Sequence, residues 1–174
     1  MLKKVVIIGP ESTGKSTLAQ QLAAHFNCLW VEEYAREYLE NLGRLYEYDD
    51  LLRIAQGQIA LEDRIAAQSD KLLICDTDLH VIQVWSEHKY GKVHDWVMQQ
   101  IEQKGYDLYL LTDIDIPWEE DPLREHPDPA QRLYFWELYQ SIVEKSGVPY
   151  QIISGTHEIR LQRAIKRVQA LLKS

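Results

Sequence analysis

Gly9-Pro10-Glu11-Ser12-Thr13-Gly14-Lys15-Ser16 has the spacing G-x-x-x-x-G-K-[ST] and lies between an apolar run, Val5 to Ile8, and a helix-like run, Thr17 to Phe26. A strand, a glycine-rich loop and a helix in that order make a phosphate site. The glycines let the backbone curl until successive amides face an anion, and the following helix aims its positive N-terminus at the same charge. Lys15 has the reach for β- and γ-phosphates, and the Ser16 hydroxyl suits the Mg²⁺ that neutralises them. The expected nucleoside-triphosphate contacts are Gly9, Glu11, Ser12, Thr13, Gly14, Lys15, Ser16 and Thr17.

Phosphoryl transfer also needs carboxylates. The apolar run Lys71 to Cys75 ends in Asp76. In a parallel sheet such a position opens onto the ligand crevice, where Asp76 would join Ser16 at the metal. Asp78 would share that work or touch the acceptor. The competing reading is a helix cap, with Asp76 or Thr77 holding the free amides of the next helix. A second acidic cluster, Glu32-Glu33-Tyr34-Ala35-Arg36-Glu37, follows the run Cys28 to Val31. Glu33 is the leading candidate to orient an acceptor hydroxyl and take its proton, with Asp76 as its rival. Tyr34 and Arg36 are candidates for the acceptor, and Arg36 would alternatively pair with Glu33. The plainer alternative is a solvated helix start whose acids complement the dipole.

The segment Ile116 to Pro127, with Arg132 beyond it, is charged and proline-rich. It suits a lid, about 113–132, that excludes water and brings Arg124 and Arg132 to the transferring phosphoryl. A solvated loop with local ion pairs is the alternative. Of the five tryptophans, Trp85 follows the Asp76 segment on the acceptor side and is the best candidate to line a pocket.

Short apolar runs alternate with longer amphipathic ones, the pattern of a parallel sheet covered by helices. Strands are expected at Lys4–Ile8, Cys28–Glu32, Leu72–Asp76, Leu108–Thr112 and Tyr150–Ser154. Besides the helix after the phosphate loop, helices are expected at Tyr34–Leu42, Asp50–Gln68, Leu79–His88, Val93–Gln103, Pro129–Ser146 and Glu158–Leu172. Four prolines between Asp113 and Pro129 exclude a continuous helix there.

With 174 residues, 45% of them hydrophobic, the chain suits one domain, 1–174. A net charge of -8 argues against a nucleic-acid partner and for a small-molecule substrate. Met1-Leu2-Lys3-Lys4 leads directly into the first strand without a targeting signal, and no apolar stretch is long enough for a bilayer, so a cytoplasmic protein is expected. Cys28 and Cys75 suit free thiols, and the six histidines show no zinc-ligand spacing. No feature specifies an oligomeric state.

Together, Gly-x-Glu-Ser-x-Gly-Lys-Ser in the loop, Glu33-Tyr34-x-Arg36-Glu37, Asp76-Thr77-Asp78 and Trp118-x-x-Asp121-x-Leu123-Arg124 resemble the ribosylnicotinamide kinase domain of NadR-type proteins. That is a P-loop group near the nucleoside and adenylate kinases, and the similarity runs through essentially the whole chain. The resemblance implies an α/β three-layer sandwich with sheet order 2-3-1-4-5. It also implies ATP and Mg²⁺ as cofactors and transfer of phosphate to nicotinamide riboside in NAD salvage. Bifunctional members carry an adenylyltransferase domain before the kinase strand, so adenylyl transfer and operator binding are not expected of this sequence. Members often have Trp immediately before the Glu-Tyr-x-Arg-Glu run, where this chain has Glu32. Trp30, Tyr34 or Trp85 would then supply the aromatic platform, or the acceptor would be another nucleoside or a vitamin alcohol. A nucleotide-dependent regulatory ATPase is the alternative from a different functional class.

Overall fold

Residues 1–174 are described by a computed structural model in which one or two helices follow each of five strands. The chain runs β1 (Lys3–Ile8), α1 (Lys15–Phe26), β2 (Leu29–Val31), α2 (Tyr34–Leu42), α3 (Tyr48–Ala66), β3 (Leu72–Asp76) and α4 (Leu79–Tyr90). It continues through α5 (Asp95–Gln103), β4 (Leu108–Thr112), α6 (Pro129–Ser146), β5 (Tyr150–Ile153) and α7 (His157–Lys173). All strand pairs are parallel, in the order β2-β3-β1-β4-β5. This is the expected P-loop sandwich.

The period-two geometry of a strand divides β1 between two cores. Val5 and Ile7 pack with Leu18 and Leu22 of α1 and with Ala164 and Val168 of α7. Val6 and Ile8 face the other way, against Val84 of α4 and Phe135, Tyr139 and Val143 of α6. These four of the six β1 side chains are fully buried, each contributing roughly 1.5–3 kcal/mol of hydrophobic stabilisation. A third cluster ties α2, α3, α4 and α5 together through Ala35, Leu51, Ile54, Ile82 and Val97. It sets the position of α2, at whose start Glu33 and Arg36 lie.

Element boundaries differ from expectation where side chains intervene. Helix α3 starts at Tyr48 rather than Asp50 because Glu47 and Asp50 form a reciprocal capping box. Asp50 is fully buried, accepts from Arg44 and Tyr38, and is held well below the usual carboxylate range chiefly by the Arg44 hydrogen bonds. Strand β2 keeps only Leu29–Val31, which pair with Leu73–Cys75 at the sheet edge. No helix is long and apolar enough to cross a membrane.

Gly57, midway along α3, lets α2 approach closely. A Cβ at that position would lie 2.0 Å from the Tyr34 ring. Gly57→Ala is therefore expected to force Tyr34 aside and destabilise the fold by about 1–3 kcal/mol, against the usual gain from removing a helical glycine. Urea unfolding of the purified variant checks this, and a midpoint at or above that of wild type would show that the ring gives way freely.

Candidate active site

The loop after β1, the start of α2, helices α4 and α6 and the segment after β4 enclose a cleft of ≈ 860 Å³. At its floor the phosphate loop is shaped by what grips its carbonyls. Thr13 is fully buried, and its hydroxyl donates to Pro10 O at 2.7 Å and lies 2.7 Å from Thr112 Oγ1. Lys15 Nζ also donates to Pro10 O, at 2.8 Å. Arg132 donates to Ser12 O at 3.2 Å, and Arg160 of α7 to Thr13 O at 2.8 Å. Gly9 is required by contact: a Cβ there would meet Thr112 Oγ1 at 2.3 Å and Thr112 O at 2.9 Å. Helix α1 begins with no side-chain cap and no acid in its first turn, which leaves its amides to an anion.

Asp76 ends β3 beside this floor and accepts from Ser16 Oγ at 2.5 Å. Its other oxygen, Oδ1, is buried without a hydrogen-bond partner. A buried acceptor next to a hydroxyl of α1 is a donor set of the kind Mg²⁺ takes, so Ser16 and Asp76 fit the metal expected there. Burial, reinforced by the charge of Glu33, pushes the Asp76 carboxyl up to about 7, against the lowering influence of Lys15 and the Ser16 hydrogen bond.

Thr77 has a left-handed backbone, φ 77, so the chain reverses between the two aspartates. Asp78, not Asp76 or Thr77, caps α4. It accepts from His80 N at 3.0 Å and from the Tyr109 hydroxyl at 2.7 Å, and it lies 2.8 Å from His80 Nδ1. Its carboxylate is committed away from the cleft, which corrects its assignment to metal or acceptor.

Glu33 occupies the N-cap position of α2 without using its side chain as a cap. The Tyr34 amide donates instead to Gln58 Oε1 at 2.7 Å, so the Glu33 carboxylate is left to the cleft it lines. Tyr34 does not line the cleft, because its ring lies over Gly57. Arg36 does line it but does not pair with Glu33: its guanidinium meets Asp121 at 2.8 Å and Glu40 at 3.7 Å. Of the three aromatic residues weighed as a platform, only Trp85 reaches the cleft, with Nε1 donating to the Tyr46 hydroxyl at 2.8 Å. Trp30 packs against the core on the α1 side, and Glu32 is exposed outside the cleft.

The segment expected to form a lid lies on the phosphate loop. Ser12 Oγ accepts from Glu119 N at 2.8 Å and from Arg124 at 3.3 Å, and Glu11 accepts from Glu125 N at 3.1 Å. Burial raises the Glu11 carboxyl above its ordinary value. Arg124 and Arg132 both line the cleft, although Arg132 is buried and also donates to Ile116 O. The cleft also holds residues not expected from the sequence: His88, His126 and Phe135, which pack on one another, with Tyr139, Thr156 and His157. The last two follow the carboxyl end of β5, so the crevice rule for parallel sheets would have found them.

This fold and floor define a P-loop nucleoside-triphosphate-binding domain. A family model described as an AAA domain matches residues 4–160, and the chain belongs to that family. It is 28% identical over 176 residues to the trifunctional NAD biosynthesis/regulator protein NadR of Escherichia coli (strain K12), an alignment covering 98% of this chain and 43% of that protein. A crystal structure of NadR with NR superposes with TM-score 0.77 at 25% identity, covering 99% of this chain and 50% of that one. One with NAD and AMP-PNP gives 0.75 at 26% identity, with the same coverage. The chain thus spans about half the length of the relatives it matches.

The raised Asp76 carboxyl has a thermodynamic consequence. Its folded value lies above the ordinary 3.8, so the folded chain holds this proton more tightly than the unfolded one. Stability from this group is full below about pH 4 and is lost as pH rises towards about 7. Asp76→Asn, neutral throughout, is expected to raise the metal-free Tm at pH 8 by several degrees and to change it less at pH 5. Thermal melts at both pH values check this; an equal shift at both would remove the buried charge as the cause.

Proposed function

We propose that this protein transfers the terminal phosphoryl group of ATP to the hydroxyl of a nucleoside-like acceptor, with nicotinamide riboside as that acceptor. The observation that carries the reading is the continuity of the cleft. One cavity joins the phosphate loop to a second compartment where Glu33 presents a carboxylate not used for capping and Trp85 forms an aromatic wall. A regulatory ATPase has no need of that second compartment. The similarity to NadR, crystallised once with NR and separately with NAD and AMP-PNP, supports the acceptor and the donor.

In this reading the loop amides and Lys15 hold the phosphates, and Thr156 and His157 border the nucleoside end of the donor. Mg²⁺, held by Ser16 and Asp76, would supply charge neutralisation on the phosphates. Glu33 orients the acceptor hydroxyl and accepts its proton. Asp76 is the poorer base because it is engaged with Ser16 and presents no surface to the cleft. Arg124 stabilises charge on the transferring group, and Arg132 fixes the lid and loop around it.

The test is ADP release with Mg²⁺ and ATP as nicotinamide riboside, other nucleosides and vitamin alcohols are added singly. Stimulation by nicotinamide riboside with a mononucleotide product is expected. Stimulation only by another compound would change the acceptor, and stimulation by none would favour the regulatory ATPase. Lys15→Ala should abolish transfer without unfolding the protein. Glu33→Gln should lower kcat by about 10²–10⁴-fold, the usual worth of a general base. If Glu33→Gln keeps full turnover while Asp76→Asn loses it, the base is Asp76.

A further inference from the structure

We infer that Asp121 is a positioning residue: by drawing the Arg36 guanidinium from Glu40 to the lid, it couples lid seating to the shape of the acceptor compartment. What is coupled rests on the kinase reading above, whereas the exchange of ion-pair partners does not.

Arg36 lies in the first turn of α2, three residues after Glu33, and lines the cleft. Two acids compete for it. Asp121 of the lid takes both terminal nitrogens, NH2 at 2.8 Å and NH1 at 3.5 Å, while Glu40, one turn along the same helix, stands 3.7 Å from NH1. The two sites are unequal. A two-pronged contact fixes the plane of a guanidinium, whereas an exposed i,i+4 pair constrains it little. Asp121 is also prepared for the role, because its Oδ1 accepts from Leu123 N at 2.9 Å and its side chain is only 19% exposed. That backbone bond, with Arg36, holds its carboxyl below the ordinary value.

The other lid contacts do not offer this choice. Ser12 and Glu11 receive the lid on the phosphate loop, and Tyr46 and Lys89 meet Glu125 at 2.8 and 3.9 Å, but Lys89, the one cation among these four, has no second acid within ion-pair distance. Arg36 alone joins a lid acid, a helix acid and the cleft. With the lid seated, the guanidinium is held beside the acceptor wall. With the lid lifted, Arg36 is left to the acids of its own helix start, Glu40 at 3.7 Å and Glu33, and its plane is no longer fixed by the two-pronged contact.

Asp121→Asn keeps an acceptor for the Leu123 amide and removes the charge, so it separates the two roles of this side chain. Amide exchange of residues 34–38 in the ligand-free variant is expected to quicken relative to wild type. The KM for the accepting nucleoside should rise about tenfold, with kcat and the KM for ATP nearly unchanged, as for lost binding of one substrate. Glu40→Gln removes the competitor and should lower the acceptor KM, and Asp121→Glu should restore part of the loss. Unchanged exchange at residues 34–38 in Asp121→Asn would overturn the inference. So would a fall in kcat with a raised ATP KM and an unmoved acceptor KM, which marks a merely structural lid contact. If no nucleoside stimulates ADP release in wild type but the exchange still quickens, the kinase reading fails and the ion-pair exchange stands.

Discussion

A loop that offers its amides to an anion cannot also hold itself in shape with them, so it must be gripped from outside by its carbonyls. That constraint organises this molecule. The carbonyls of Pro10, Ser12 and Thr13 each accept from a side chain, and the donors come from the loop itself, from α6 and from α7. Three of the four donors are cationic, which strengthens the hold and places positive charge where phosphates are expected. Close contact of Gly9 with the end of β4 completes the clamp from below.

The carboxylates are sorted by backbone geometry. Left-handed Thr77 sends Asp76 towards Ser16 and leaves Asp78 to cap α4, so two acids of the same short run take unrelated roles. At the start of α2 the sorting is done by Gln58, which serves the helix amide and releases Glu33. The result is one acid beside the phosphate floor and one lining the cleft. Burial first, and then the charge of Glu33, raise the Asp76 carboxyl.

Most of the fold was legible because its signals are local. Alternating apolar runs placed all five strands, and the phosphate loop with its flanking elements showed where ligands would gather. Departures arose where a side chain acts at a distance. The Glu47–Asp50 capping box moved a helix start, and the Asp78 hydroxyl partner comes from Tyr109 on another strand. The pairing of Arg36 depends on how the lid folds back, and helical spacing alone pointed to Glu33. Tyr34 fell away from the cleft because Gly57, on a different helix, opens a seat for its ring. Arg160 carried no signal at all: on an amphipathic helix it looks like a solvated charge, and only tertiary packing buries it.

That arginine ties the two ends of the polypeptide together. From α7 it reaches Thr13 O, Gly155 O, Asp113 O and the Asp115 carboxylate, so it joins the phosphate loop to the ends of β4 and β5. The motif that names the site is complete within sixteen residues, yet the last helix supplies the grip on it. The shape of the loop therefore depends in part on a contact made 147 residues further along the chain. A chain cut before residue 160 would keep every residue of the phosphate motif and lose the geometry that makes it a receptor.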